Sequence, residues 1–274
     1  VKKEEFLISS KPILWEELRL ISKYRNVLYV LSWRNLRLQY NSFWLGLFWG
    51  VLNPMIMTAI FFFVLGNKVG SDLENYILYI YSGFIFWNVL AGSTGSSASC
   101  FQDNFSLIKK VYFPRFLMPF SHVISKLPDL AISFMALLFA LLYFNLDVNI
   151  YQFAFFTLLS IIDLVLFGVG LCLIASVLTV RFKGFSVIQP LLTQAFFFVS
   201  PIIFDINLTI ENSLVRALIR LNVFTGILEI FRFGIFNHSI STHIVVIYSV
   251  CAFLICICGL VLFNYEDVTL SDKI

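Results

Sequence analysis

Charge is scarce in this sequence. Asp, Glu, Lys and Arg make up 13% of its 274 residues, against 59% hydrophobic residues. A soluble domain carries roughly 25% charge, so the shortage excludes an ordinary soluble chain. Histidine is scarcer still. His122, His238 and His243 are scattered, and no H-E-x-x-H, G-x-S-x-G or paired metal motif occurs. No G-x-x-x-x-G-K-[ST] loop is present, which excludes ATP binding by that route. The five cysteines, Cys100, Cys172, Cys251, Cys256 and Cys258, all fall in or beside apolar runs. They read as small buried hydrophobes rather than ligands. Basic residues are not gathered on one polar domain, so nucleic-acid binding has no footing. No short apolar core of a cleavable leader is visible before the first long apolar run, which is therefore expected to act as the targeting signal as well.

What the sequence has in excess is long apolar runs. A membrane-spanning helix needs about 20 mostly apolar residues. Five runs qualify readily, at 43–66, 76–100, 120–144, 151–180 and 243–264. A sixth, 186–204, carries Pro190 and Pro201 but is otherwise apolar. The expected fold is therefore an all-α membrane protein with six transmembrane helices. Residues 205–242 mix Arg216, Arg220, Glu229 and Arg232 among Leu, Ile and Phe. That is too polar to span and too apolar for an open loop, so two short re-entrant helices are expected between spans 5 and 6. Residues 13–31 place Leu14, Leu18, Ile21 and Leu28 near helical spacing with charges between them. The expectation is an N-terminal amphipathic interfacial helix. The division follows: 1–42 a cytoplasmic N-terminal segment, 43–264 the transmembrane domain, 265–274 a cytoplasmic tail.

Orientation follows from lysine and arginine, which accumulate on cytoplasmic loops. With six spans, fourteen of these residues fall on the side of both termini and four on the other, Lys126 lying within a span. Both termini and the Lys109–Lys110 loop are thus expected in the cytoplasm, and 205–242 on the outside.

Four groups of residues stand out. The first is SLIKKVYFPRFLMP at 106–119, where two lysines, aromatics and two prolines separate two spans. Asp103 or Asn104 is placed to cap a short helix running to Val111, with Pro114 and Pro119 bending the chain beyond it. Lysines meeting lipid phosphates would explain it simply. A rigid, short, exposed helix gripped by another protein is the functional reading. The second group is aromatic: Tyr40, Phe43, Trp44, Phe48 and Trp49, then Phe84, Phe86 and Trp87, then Phe196, Phe197 and Phe198. Such faces stack on sugar rings, though many aromatics in membranes only form interfacial belts. Third, GSTGSSAS at 92–99 suits either close helix packing or a polar path. Fourth are the intramembrane charges Lys126, Asp129 and Asp163, costly against lipid. Lys126 and Asp129 are three apart and can pair, and Asp163 is in reach of Lys126 from the neighbouring span.

In chain order, several segments resemble the ABC-2-type permeases that export polysaccharides such as O-antigen, capsule and teichoic acid. IKKVYFPRFLMPFSHV resembles their first cytoplasmic loop and third span. Arg37, Tyr40, Leu45, Gly46, Trp49 and Pro54 match R-x-x-Y, L-G-x-x-W and a following proline. VRFKG at 180–184 resembles the second cytoplasmic loop, FFFVSPIIF the fifth span, and LNVFTGILEIFR the outward gate. Two positions depart from the pattern. Gly184 stands where an acidic residue is common, and Val223 follows Asn222 where the family has proline. The break between the re-entrant helices then rests on Asn222 or Gly226.

The resemblance implies a permease subunit rather than an enzyme, a homodimer in the bacterial inner membrane bound to two copies of an ATPase subunit. It implies no cofactor in this chain, ATP and Mg belonging to the partner. The cargo it implies is a polyprenyl-diphosphate-linked polysaccharide. Coupling to the ATPase is implied for Lys109, Lys110, Phe113, Pro114, Arg115, Arg181 and Lys183, with Phe113 expected to be buried in a groove of that subunit. A glycan and lipid path is implied for Arg37, Tyr40, Trp44, Phe48, Phe86, Trp87, Phe196 and Phe197. A periplasmic gate is implied for Asn222, Gly226, Glu229 and Arg232. Alternatives are an exporter of teichoic acid, capsule or a small molecule, a stand-alone channel, and a membrane glycosyl or lipid transferase. A transferase should show clustered Asp or His in a cytoplasmic loop, and none occurs.

Overall fold

The computed structural model describes residues 22–40, 43–66, 73–111, 113–146, 148–182, 184–206, 212–236 and 241–273. Side chains of 43–47, 73–74 and 267–273 lie outside the described part. Among the described residues the chain is helical throughout, without a strand. The helices are α1 (Arg25–Gln39), α2 (Phe43–Leu65), α3 (Leu73–Ala98), α4 (Cys100–Asp103), α5 (Phe105–Lys110), α6 (Leu117–Tyr143), α7 (Ile150–Arg181), α8 (Phe185–Val199), α9 (Ser213–Arg220), α10 (Val223–Phe236) and α11 (Thr242–Lys273).

Five of them, α2, α3, α6, α7 and α11, are long and apolar enough to cross a membrane. They coincide with five of the six runs expected from sequence. The sixth behaves differently: 186–204 is helical only to Val199. Fifteen residues at 1.5 Å each reach roughly 22 Å, short of the ~30 Å hydrocarbon core. The reason is local. Pro201 cannot continue the backbone ladder, and the Ser200 hydroxyl turns back to the Phe196 carbonyl at 2.7 Å.

Asparagines punctuate the connections. Asn149 caps α7 by accepting from the Tyr151 and Gln152 amides. Asn212 caps α9 through the Leu214 amide, and Asn222 caps α10 through the Phe224 amide. These bonds occupy donors that a helix start leaves open. Asn145 closes α6 with φ 50°, a left-handed conformation that asparagine tolerates better than most residues.

Two apolar cores stack along the bundle. One joins α3, α6, α7 and α10, with the Phe86 and Phe231 rings 4.7 Å apart. The other lies at the end where α3 leaves and α6 enters. It joins Leu28 and Leu31 of α1 to Phe101, Phe113, Phe116 and Leu117. Helices α7 and α11 meet backbone to backbone. A Cβ on Gly170 would lie 2.6 Å from the Ile255 carbonyl oxygen, and one on Gly259 2.7 Å from that of Gly170. Small residues are what permit such an approach.

Of the interfacial helix expected over 13–31, residues 13–21 lie outside the described residues. The described helix α1 continues beyond it to Gln39, burying Leu28, Leu31, Ser32 and Leu36 and exposing Tyr29, Val30, Trp33 and Leu38. Two short helices do occupy the 205–242 region. Helix α9 exposes Leu214, Leu218 and Leu221 along one stripe, whereas α10 is buried on most of its sides.

Candidate functional site

A groove of about 560 Å³ runs between α2, α3 and α8. Its walls alternate aromatics (Phe61, Phe84, Trp87, Phe197, Phe198) with amides and a hydroxyl (Asn53, Asn88, Gln189, Gln194, Thr193). The Trp87 and Phe197 ring centroids are 5.3 Å apart, and Phe61, Phe84 and Phe197 form a tilted triangle. A second cavity of about 310 Å³ opens on the other side of Asn53, Asn88 and Ala91, which line both. Its wall includes Gln39, Tyr40, Trp49, Lys126, Asp129 and Ser133. Asn53 donates to Asn88 across the waist at 3.3 Å.

Asp129 organises this second chamber. Its carboxylate accepts from the Tyr40 hydroxyl and from the Gln39 amide at 3.2 Å, and Lys126 Nζ lies 3.8 Å away. The expected Lys126–Asp129 pair therefore forms, if loosely. Burial, the hydrogen bond to Asp129 and that carboxylate's charge all push the Tyr40 phenol above its ordinary range, which keeps it a donor. Asp163 does not join them. It is buried and accepts from Ser249 at 2.7 Å, tying α7 to α11.

Of the aromatic residues singled out from sequence, Phe84, Trp87, Phe197 and Phe198 line the groove. Phe196 packs behind them against Trp87 and Phe224. Phe86 points into the core, as it must one residue from Trp87 on a helix with 3.6 residues per turn. Phe48 is 60% exposed and lines neither cavity. Tyr40 lines the chamber, while Arg37 stacks over Trp33 with its guanidinium 5.2 Å from the ring. Trp44 belongs to α2, but its side chain lies outside the described residues. The small-residue stripe divides. Gly92 and Gly95 face the cavities, whereas Ser97 bonds to the Cys172 carbonyl and draws α3 onto α7.

Sequence reasoning missed the amides Asn53, Asn88, Gln189 and Gln194. The signal was available: each interrupts an apolar run, where a polar side chain needs a partner or a wet surface.

At the basic end, α5 carries Lys109 and Lys110 on a helix with no buried residue, and Lys109 lies over the Phe105 ring at 4.0 Å. Asn104 stands at its N-cap, yet its side chain turns back to the Cys100 carbonyl and accepts from Arg34 of α1. Phe113 overturns the expectation made for it. It is 6% exposed, buried against its own chain among Leu28, Phe101 and Phe116, and so has almost no surface left for a partner's groove. The exposed apolar atoms here belong to Phe105 and Val111. Pro114 and Arg115 form the turn into α6, their carbonyls accepting from Leu117 and Met118. Pro119 falls in the first turn of α6, where a missing N–H costs nothing, so it does not bend the chain. Arg181 pairs with Glu266 of α11 at 2.9 Å. Lys183 lies outside the described residues.

On the opposite side of the bundle, Arg232 is 4% exposed. It donates to the carbonyls of Pro201, Ile202 and Tyr79 and to the Ser82 hydroxyl. It thereby replaces the ladder that α8 loses at Pro201. Tyr76 and Tyr79 serve the next carbonyls, of Ile203 and Phe204. Asn222 marks the break between α9 and α10. Gly226 packs flat on Tyr248, whose ring leaves no room for a Cβ and whose hydroxyl caps α9 at Arg220. Glu229 is half-buried beside the charges of Arg220 and Arg232.

Several O-antigen export system permease proteins are similar to this chain. One from Klebsiella pneumoniae is 24% identical over 87% of this chain and 91% of its own length. A second from that organism is 23% identical over the same shares. One from Myxococcus xanthus is 24% identical over 81% of this chain and 85% of its own. The ABC-2 type transporter family matches residues 26–236, from α1 through the last turn of α10. With five apolar helices of spanning length, this multi-pass membrane chain belongs to the ABC-2 type transporter family.

Proposed function

We propose that this chain is the permease subunit of an ABC transporter that exports a lipid-linked, O-antigen-like polysaccharide across the bacterial inner membrane. Similarity to O-antigen export permeases over most of both chains supports the cargo class. The observation that carries the reading is the groove between α2, α3 and α8. Its alternation of Trp and Phe with Asn, Gln and Thr suits a chain with apolar ring faces and hydroxylated edges.

The permease works as a homodimer with two copies of an ATPase subunit, which holds ATP and Mg. Exposed α5, with Phe105, Lys109, Lys110 and Val111, presents the docking surface, and Arg115, Arg181 and Lys183 also take part in coupling. Buried Phe113 and the Pro114 turn transmit the push into α6. Helix α8 together with 200–206 completes a sixth crossing. Helices α9 and α10 re-enter from the periplasm, a reading supported by Phe231 of α10 touching Phe86, about halfway along α3. Asn222, Gly226, Glu229 and Arg232 hold this outer gate. Both termini are cytoplasmic, and 43–264 forms the transmembrane domain.

Deleting the gene should abolish the long-chain surface glycan, and the undecorated lipid-linked polymer should accumulate on the cytoplasmic face. An unchanged surface glycan would refute the export role. Orientation is tested separately. In a cysteine-free background an impermeant thiol reagent should label Asn149→Cys and Ser213→Cys in intact spheroplasts and spare Ser106→Cys.

A further inference from the structure

The chamber beside the groove is not explained by a smooth conduit. Its volume of about 310 Å³ is at the lower end of ligand sites. Its charged groups, Lys126 and Asp129, lie 3.8 Å apart, so the site carries both signs and no net charge. An anion attracted by Lys126 would meet the Asp129 carboxylate. A hydrocarbon tail would leave the remaining hydrogen-bonding capacity of Lys126, Asp129, Asn53 and Asn88 unmet. Amides and a carboxylate that accept and donate, beside an exposed aromatic face, suit a neutral polyhydroxylated ring. Trp49 supplies that face, 60% exposed at the chamber wall.

We propose that this chamber is a binding subsite for a single pyranose unit, set to one side of the groove behind the Asn53–Asn88 hydrogen bond. Asp129 and Asn88 accept and donate to ring hydroxyls, Trp49 covers one ring face, and Lys126 takes a remaining hydroxyl oxygen. The subsite rests on the glycan-export reading. It adds that α6, through Lys126 and Asp129, selects among sugars that the aromatic groove passes without distinction.

The test uses the full permease with its ATPase subunit in nanodiscs and saturation-transfer NMR. The probes are methyl glucoside, methyl mannoside, methyl galactoside and their N-acetyl analogues, each at millimolar concentration. At least one should receive saturation at its ring protons. Losing a charged hydrogen bond in Asp129→Asn should weaken it about tenfold. Because Asp129 also holds Tyr40, Trp49→Ala provides a second arm, since its side chain is largely exposed and the fold does not need it. Trp49→Ala and Asn88→Ala should each reduce transfer several-fold, and Leu254→Ala, exposed on α11 and outside both cavities, should not. No transfer to any pyranoside, or transfer unchanged in all three chamber variants, would overturn the subsite. So would 31P line broadening of inorganic phosphate that depends on Lys126. None of these outcomes touches the export reading, which stands or falls with the surface glycan of the deletion strain.

Discussion

Asn222 donates from its side-chain amide to the Ser200 hydroxyl at 3.0 Å. The two residues mark the two places where apolar helix gives way inside the bundle, the end of α8 and the start of α10. One side chain therefore caps a helix and ties it to the neighbouring break. Asn222→Ala should lose both functions and cost about 2 kcal/mol. Asn222→Asp keeps the cap but cannot donate to Ser200 as a carboxylate, and should lose about half as much. Thermal unfolding in detergent measures the difference, and equal melting of all three proteins would show that the link contributes nothing.

Arg232 faces a harsher substitution. Four polar groups on two segments depend on one guanidinium. Lysine has a single nitrogen and lacks the planar fork, so Arg232→Lys should rescue little of what Arg232→Ala loses. The expected cost for alanine is about 3 kcal/mol or more, because buried carbonyls are left without donors. Yield of monodisperse protein from membranes should fall sharply for both variants. A well-behaved Arg232→Lys protein would argue for charge alone rather than geometry.

At the other end of the molecule, burial separates docking from folding. Phe113→Ala empties a site in the permease's own core and should destabilise it by about 3–5 kcal/mol. Phe105→Ala and Val111→Ala should leave its melting point unchanged and loosen the ATPase subunit on co-purification. Lys109→Ala should do little. If Phe113→Ala weakens assembly with no loss of thermal stability, the side chain leaves its core to dock.

In the groove, Trp87→Ala and Phe197→Ala each remove an aromatic face worth about 1 kcal/mol. Export rate should fall severalfold for each and further in the double variant, while ATPase assembly persists. The check is pulse-labelled glycan reaching the surface. A double variant that exports at the normal rate would remove these rings from the path.

Composition and run length made the five spans legible, because hydrocarbon thickness sets helix length directly. The sixth run, 186–204, is helical over less of its length than its apolar character suggests. Nothing in 186–204 says that a guanidinium 31 residues beyond Pro201 will accept the role of its missing ladder. Phe113 was misjudged for a similar reason. Its neighbours in sequence are lysines and prolines, and its neighbours in space, Leu28 and Phe101, are set only by docking α1 on the bundle. The groove was half legible. Aromatic runs point all round a helix, so sequence could not tell Phe86 from Trp87, whereas the solitary amides Asn53 and Asn88 mark the lining side directly.

Where α7 and α11 touch at Gly170 and Gly259, no side chain separates the two backbones. Contacts made by side chains can be re-formed in another rotamer as helices slide. Here there are no rotamers to change, so the pair behaves as a riveted seam. Whatever opens during a transport cycle must open elsewhere, along the lightly buried flank of α2 and the short α8. The riveted pair then serves as the fixed frame against which that flank is displaced.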